Sequence, residues 1–205
     1  MPAAMDPSVK QALAKWPNVP AVHGWLSLDE RGRWHIHEQG DAAAGGPGDL
    51  IANAQIRAFI DRNYESDAQG RWYFQNGPQR VYVRLDAAPY ILRRADAGAG
   101  LVAHTGMPVE AVHGWWLDDT GRLYADTPAG AGLIEDRDLA AVLSQLRIEP
   151  DRVPLLDALD SLQTAPRGDP ARAAHPAFAG SAPLRIGVAR AALAGLLGFV
   201  PDPRP

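Results

Sequence analysis

DAQGRWYFQNGPQRVYVRL, Asp67 to Leu85, holds two turn phrases and two strand phrases in direct succession. The D-x-x-G-R phrase at Asp67–Arg71 specifies a hairpin tip. Its Asp accepts backbone N–H groups from inside a type I turn, and its Gly takes the left-handed conformation that joins the turn to the next strand as a bulge. Trp72 to Gln75 then reads as a strand, Asn76-Gly77-Pro78 as the next turn and Arg80 to Leu85 as the next strand. In that strand Val81, Val83 and Leu85 alternate with Arg80, Tyr82 and Arg84, which writes one sheet face as apolar and the other as wet.

The same phrase recurs at Asp29–Arg33 (DERGR) and Asp118–Arg122 (DDTGR). Around the first copy, Val22, Gly24, Leu26 and Leu28 alternate with Ala21, His23, Trp25 and Ser27, and Trp34 and Ile36 alternate with Arg33, His35 and His37. Further strands are expected at Tyr90 to Arg94, Leu101 to His104, Ala111 to Leu117, Leu123 to Asp126 and Gly132 to Ile134. Helices are expected after Asp6-Pro7, with Val9, Leu13 and Trp16 on one stripe, and after Asn53, with Ile56, Phe59, Ile60 and Tyr64. Two more follow at Leu139 to Leu146, capped by Asp136 or Asp138, and at Leu155 to Leu162. Gln39 to Gly48 and Thr164 to Ala182 read as loops, the second a flexible one, and the last apolar run, ending in Phe199 and Val200, is expected to fold back onto the body.

Ala21-Val22-His23-Gly24-Trp25 repeats as Ala111-Val112-His113-Gly114-Trp115, each copy followed by its own D-x-x-G-R turn. A single long spacing of this kind argues for two related lobes and not for a solenoid. The expected fold is therefore α+β, an antiparallel β-hairpin meander in two related lobes with a few flanking helices. The expected division is a small α+β lobe over residues 1–78, a β-rich lobe with a terminal helix over 79–150, and a helical, Pro- and Ala-rich tail over 151–205 packing back on the body.

The 205 residues suffice for one domain or two small lobes, and the net charge of -4 gives no global pull toward nucleic acid or an anionic membrane. The absence of cysteine excludes disulfides, thiolate metal sites and thiol nucleophiles. Met1 to Lys10 does not read as a secretory signal, and the most apolar stretch, Ile186 to Val200, is interrupted by Arg190 and too short to span a bilayer. A cytoplasmic, soluble protein is expected by elimination.

GRWYFQNGPQRVYV (Gly70 to Val83) and DAAPY (Asp86 to Tyr90) resemble a proteobacterial family of proteins of unknown function, over roughly Asp6 to Ile134. The chain is similar, more distantly, to a second uncharacterised bacterial family through Trp34 to Gly40, Ile56 to Tyr64, Asp67 to Phe74 and Ala88 to Tyr90. The resemblance implies a small α+β lobe followed by a β-rich one and no activity. The tail after Pro150 falls outside it.

Two sets of residues are candidates for a site. The first is cationic and aromatic. Arg71, Arg80, Arg84, Arg93 and Arg94 stand against the single acid Asp86, with Tyr73, Tyr82 and Tyr90 interleaved, and guanidinium groups beside aromatic faces hold anions. Arg80, Tyr82, Arg84 and Arg93 are the ligand-binding candidates, joined by Trp115, since adjacent Trp115 and Trp116 must face opposite ways and one of them is the expected exposed anchor. The second set is histidine-based: His35 and His37 at i and i+2, with His23, His104 and His113 as further metal ligands. HIHEQGD resembles the H-x-H-x-D-H phrase of metallo-β-lactamase-like hydrolases, but its Asp comes two residues late and no His follows. Ser181 lacks a nucleophile elbow and no phosphate-binding glycine phrase occurs.

These observations favour a non-catalytic binding or interaction module, working through the Arg and aromatic sheet face or an inter-lobe crevice, over a metal-dependent hydrolase. No cofactor is expected. The expected partner is another protein, a second copy of the chain or a small anion, with nucleic acid disfavoured and no membrane.

Overall fold

The computed structural model describes residues 6–96, 98, 100–164 and 170–205, which form two compact units. The first takes the described residues up to Pro89 together with Thr105–Met107 and Gly198–Pro205; the second is Tyr90–His104 with Pro108–Leu197.

In the first unit the chain runs through α1 (Pro7–Lys15), β1 (Val22–Leu28), β2 (Trp34–Ile36), a 3-10 turn (Ala42–Ala44), β3 (Asp49–Leu50), α2 (Ala54–Arg62), β4 (Tyr64–Ser66), β5 (Trp72–Asn76) and β6 (Gln79–Leu85). Both helices start as the sequence predicts. The Asp6 carboxylate accepts the Ser8 N–H, with Pro7 in the first turn, and the Asn53 side chain accepts from Gln55 and Ile56. The strands form one sheet in the order β3-β2-β1-β6-β5-β4. Both D-x-x-G-R phrases make the expected turn. Asp29 Oδ1 accepts from the N–H groups of Arg31 and Arg33, Asp67 Oδ1 from those of Gln69 and Arg71, and Gly32 and Gly70 sit at φ +72° and +74°.

One face of this sheet is the core. Trp34 is buried edge-on to Tyr64 at 5.0 Å and donates its indole N–H to Asp61 of α2 at 2.8 Å, while Phe59 meets Phe74 at 5.5 Å. Leu28, Val83 and Leu85 complete it, as the alternation predicts. Residues 199–201 close the unit: the Val200 N–H donates to Gly70, Pro201 accepts the Leu85 N–H, and Phe199 is buried.

The second unit contains β7 (Tyr90–Arg94), β8 (Leu101–Ala103), β9 (Gly114–Asp118), β10 (Leu123–Thr127), β11 (Gly130–Ile134), α3 (Asp136–Gln145), β12 (Arg147–Ile148), β13 (Val153–Pro154), α4 (Leu155–Thr164), β14 (Ala171–Ala174), β15 (Ala182–Val188) and α5 (Arg190–Leu196). Its sheet runs β13-β12-β14-β15-β9-β10-β11-β7-β8, and the third D-x-x-G-R phrase joins β9 to β10, with Asp118 accepting from Thr120 and Arg122.

The architecture is α+β and built on hairpins. It also contains parallel pairs, β1 with β6, β11 with β7 and β15 with β9, which alternation along a strand cannot reveal. The Thr164–Ala182 loop is corrected: residues 171–174 form a strand paired to β12 and β15, with Ala173, Ala174 and His175 buried, and residues 165–169 of the expected loop lie outside the described residues. Helix α3 is entered from Glu135, not from an Asp cap: Asp136 and Asp138 fall inside its first turn, and the Glu135 carboxylate makes no cap bond and pairs with Arg93 and Arg137. Among the described residues no helix is long and apolar enough to cross a membrane.

Candidate functional site

The face of the first sheet that carries Arg80, Tyr82 and Arg84 is polar in composition yet largely buried. Cross-strand pairing aligns Glu65 with Tyr73, Tyr73 with Tyr82, and His35 and Arg84 with Ser27, so strands β4, β5, β6, β1 and β2 each contribute to one layer. Tyr82 is buried, with its hydroxyl donating to Asp67 Oδ2 at 3.0 Å and its ring stacked on His23 at 4.6 Å. Tyr73 donates to Glu65 at 2.6 Å; burial, reinforced by that bond, pushes its phenol well above the usual range.

Two guanidinium groups lie against these rings. Arg71 sits 4.9 Å over Tyr82 while its Nε donates to Asp67 at 2.7 Å. Arg80 sits 4.5 Å over Tyr73, is exposed, and makes no ion pair among the described residues. A guanidinium stacked on an aromatic face keeps its N–H edge free for an oxyanion and loses little freedom on binding one. Arg84 is engaged differently. Its Nη1 donates to the carbonyls of Ala42 and Gly46, at 2.5 and 3.1 Å, and its Nη2 pairs with Asp86 at 2.9 Å, so it fastens residues 42–46 to the sheet. Beside that fastening is an open cleft of about 600 Å³ lined by Asp29, Glu30, Arg31, Arg33, Gly45, Pro47, Arg84 and Asp86.

The remaining candidates fall elsewhere. Arg93 lies on β7 in the second unit, where its Nε meets the buried Glu135 carboxylate at 2.6 Å. Trp115 is corrected: at 1 % exposure it packs against His175 and Phe178 in the second unit and offers no anchor. Trp116 is 8 % exposed beneath Arg185, so neither of the pair is the exposed anchor; strand β9 is buried along its whole length. Trp25 is the exposed strand tryptophan, at 44 %.

The histidines do not assemble. His35 Nε2 is 3.1 Å from Asp29, His37 Nε2 is 2.9 Å from Ser27 Oγ, and His23 is stacked on Tyr82. In the second unit His104 Nδ1 accepts the Ile91 N–H and His113 is exposed. Among the described residues no three His, Asp or Glu side chains form a group that could hold a metal ion. Burial, aided by the Arg84 charge, holds His37 below the ordinary histidine value, and burial with Arg71 does the same to His23.

Sequence reasoning overlooked two groups. One is Ser27, His37 and Asp41: the Asp29 turn sets Ser27 opposite His35, and His37, two residues further on, comes within 2.9 Å of Ser27 Oγ with Asp41 3.9 Å from its other ring nitrogen. The other is His175, buried in the second unit, which lay within the segment read as a loop.

The chain belongs to the family described as protein of unknown function (DUF2946), whose sequence pattern matches residues 5–204 and so includes the tail that the resemblance was expected to leave out. No curated protein matches it. It is similar to the crystal structure of a DUF1285 family protein from Silicibacter pomeroyi DSS-3, with 17% identity, 71% of this chain and 79% of that chain covered, and a TM-score of 0.48. It is also similar to a DUF1285 family protein from Shewanella baltica OS155, with 13% identity, 58% and 89% coverage, and a TM-score of 0.41.

Proposed function

We propose that this member of the DUF2946 family works as a binding module, taking an anionic group, carboxylate or phosphate, on the polar face of the first sheet with Arg80 as the receiving cation. The observation that carries the reading is the state of Arg80: exposed, stacked 4.5 Å over Tyr73 and without an acid partner among the described residues. Tyr73, Tyr82, His23 and Arg71 form the rigid bed beneath it, since each is held by a ring contact and the first two also by hydrogen bonds to Glu65 and Asp67. Arg84, by contrast, is committed to residues 42–46 and Asp86 and serves to shape the surface.

Calorimetric titration of the full chain with inorganic phosphate and, separately, with a hexaglutamate peptide tests this and distinguishes the two sources of negative charge. Binding of at least one is expected, weakened about tenfold or more in Arg80→Ala, which corresponds to about 1.4 kcal/mol. The melting temperature should move no more than it does for other surface substitutions. If neither anion binds, or Arg80→Ala binds as the parent does, the reading is wrong.

A further inference from the structure

At the β2 side of the same face, away from Arg80, Ser27, His37 and Arg84 lie against the glycine-rich strap of residues 39–48, which itself carries Asp41. Ser27 Oγ lies 2.9 Å from His37 Nε2, and on the other side of the imidazole Nδ1 lies 3.9 Å from Asp41 Oδ1. Hydroxyl, imidazole and carboxylate therefore stand in the order a base-activated nucleophile requires, with Ser27 already in hydrogen-bond contact and the Asp41 carboxylate, 60 % exposed, about 1 Å short of it. The fourth is Arg84, the cross-strand partner of Ser27 on β6. Its two Nη atoms are bound, but its Nε is buried and without a hydrogen-bond partner among the described residues. An unbonded buried donor is costly, of order 1–3 kcal/mol, and beside a nucleophile it is what an oxyanion would satisfy.

We propose that Ser27 is the nucleophile of an acyl-transfer centre, with His37 as its base, Asp41 as the residue positioning the imidazole and Arg84 Nε–H as the oxyanion donor, acting on a small carboxylic ester. The ester enters from the cleft that Arg84, Asp86, Gly45 and Pro47 line. Ser27 Oγ forms a bond to the ester carbonyl carbon as its proton passes to His37 Nε2, and the carbonyl electron pair moves onto the oxygen facing Arg84 Nε. Collapse breaks the bond to the alkoxy oxygen, which takes the proton from His37 and leaves as alcohol. A water then gives its proton to His37 and attacks the acyl-serine, and the returning proton restores the Ser27 hydroxyl as a carboxylic acid departs. No electron acceptor or donor is required.

In this structure the centre is closed. Ser27 is 1 % exposed, and the backbone of Gly48, at φ +64°, lies so near the ring that a Cβ there would stand 2.7 Å from His37 Nε2. Arg84 holds the strap down through Ala42 and Gly46, so entry requires that these two bonds open, with Gly40, Gly45 and Gly48 in left-handed conformations as the points where the strap turns. Burial and the neighbouring Arg84 charge lower the pKa of the imidazole, a shift toward the neutral form that a base starts from. The inference goes beyond the anion-binding reading and shares none of the residues that bind there.

The test is exposure of the full chain to a fluorophosphonate ester, read by mass spectrometry of the tryptic peptide covering residues 16–31, in which Ser27 is the one serine. The expected result is an adduct on Ser27, abolished in Ser27→Ala, slowed at least a hundredfold in His37→Gln, and unchanged in Ser161→Ala, on an exposed helix position. The glutamine retains a polar partner for Ser27, so folding should survive, and circular dichroism checks that it does. Absence of an adduct on Ser27 in the parent chain, or an equal rate in a folded His37→Gln, overturns the proposal.

Discussion

Arg80 and Arg84 stand four residues apart on one strand face, with Tyr82 between them, and do opposite work. Which of them receives a ligand depends on residues 42–46, which reach Arg84 and not Arg80, and no pattern in the strand itself carries that information. The burial of Trp115 is hidden from the sequence for the same kind of reason: alternation fixes opposite sides for Trp115 and Trp116 but cannot show that both sides of β9 are covered. His175 makes a sharper test of the packing. Burial, with Arg94 nearby, lowers it to about 4, against about 6.5 for an unfolded histidine. Between those values the unfolded chain takes up a proton that the folded chain refuses, so stability falls as pH drops through 6.5 and the loss is complete below about 4. Urea denaturation at pH 7 and pH 4.5 should therefore differ less in His175→Leu than in the parent, by about 2 to 3 kcal/mol. Equal differences would mean that His175 is not buried neutral.

The three D-x-x-G-R turns were legible because their chemistry is local: an Asp, two N–H groups within four residues, and a glycine at positive φ. Two of these carboxylates reach beyond their own turn: Asp29 Oδ2 also meets Arg33 Nε and His35 Nε2, and Asp67 also accepts the Arg71 Nε and the Tyr82 hydroxyl, so it links the hairpin tip to the aromatic bed. Asp67→Ala should cost about 2 to 4 kcal/mol in urea denaturation, at about 1 kcal/mol per lost bond. Asp67→Asn, which keeps the acceptor at Oδ1 for Gln69 and Arg71, should recover part of that loss. An Asp67→Ala as stable as the parent would remove the turn from the account of the site. Strand β14 was illegible for a contrasting reason: Ala171-Arg172-Ala173-Ala174 has no β-branched or aromatic residue, and it is a strand because β12 and β15 flank it.

At the scale of the whole chain, alternation predicted hairpins and left the parallel pairings unseen, because β1 with β6 and β15 with β9 join segments far apart in sequence. The return of the C-terminal run to the first unit was legible from Phe199 and Val200, apolar residues that must be buried somewhere. Ending the chain at Leu197 removes the bonds from Val200 to Gly70 and from Leu85 to Pro201 together with the buried Phe199 ring. That deletion should lower stability by about 3 to 5 kcal/mol, the scale of deleting a buried aromatic side chain, and an unchanged melting temperature would contradict it. The binding reading depends on one cation of this molecule more than on any other group. Nitrogen-15 spectra of the intact chain, recorded while phosphate or hexaglutamate is added, should show the Arg80 Nε–Hε resonance moving with saturation while that of Arg84 stays in place. An Arg80 resonance that never moves, or moves no more than the other exposed arginines, would contradict the account.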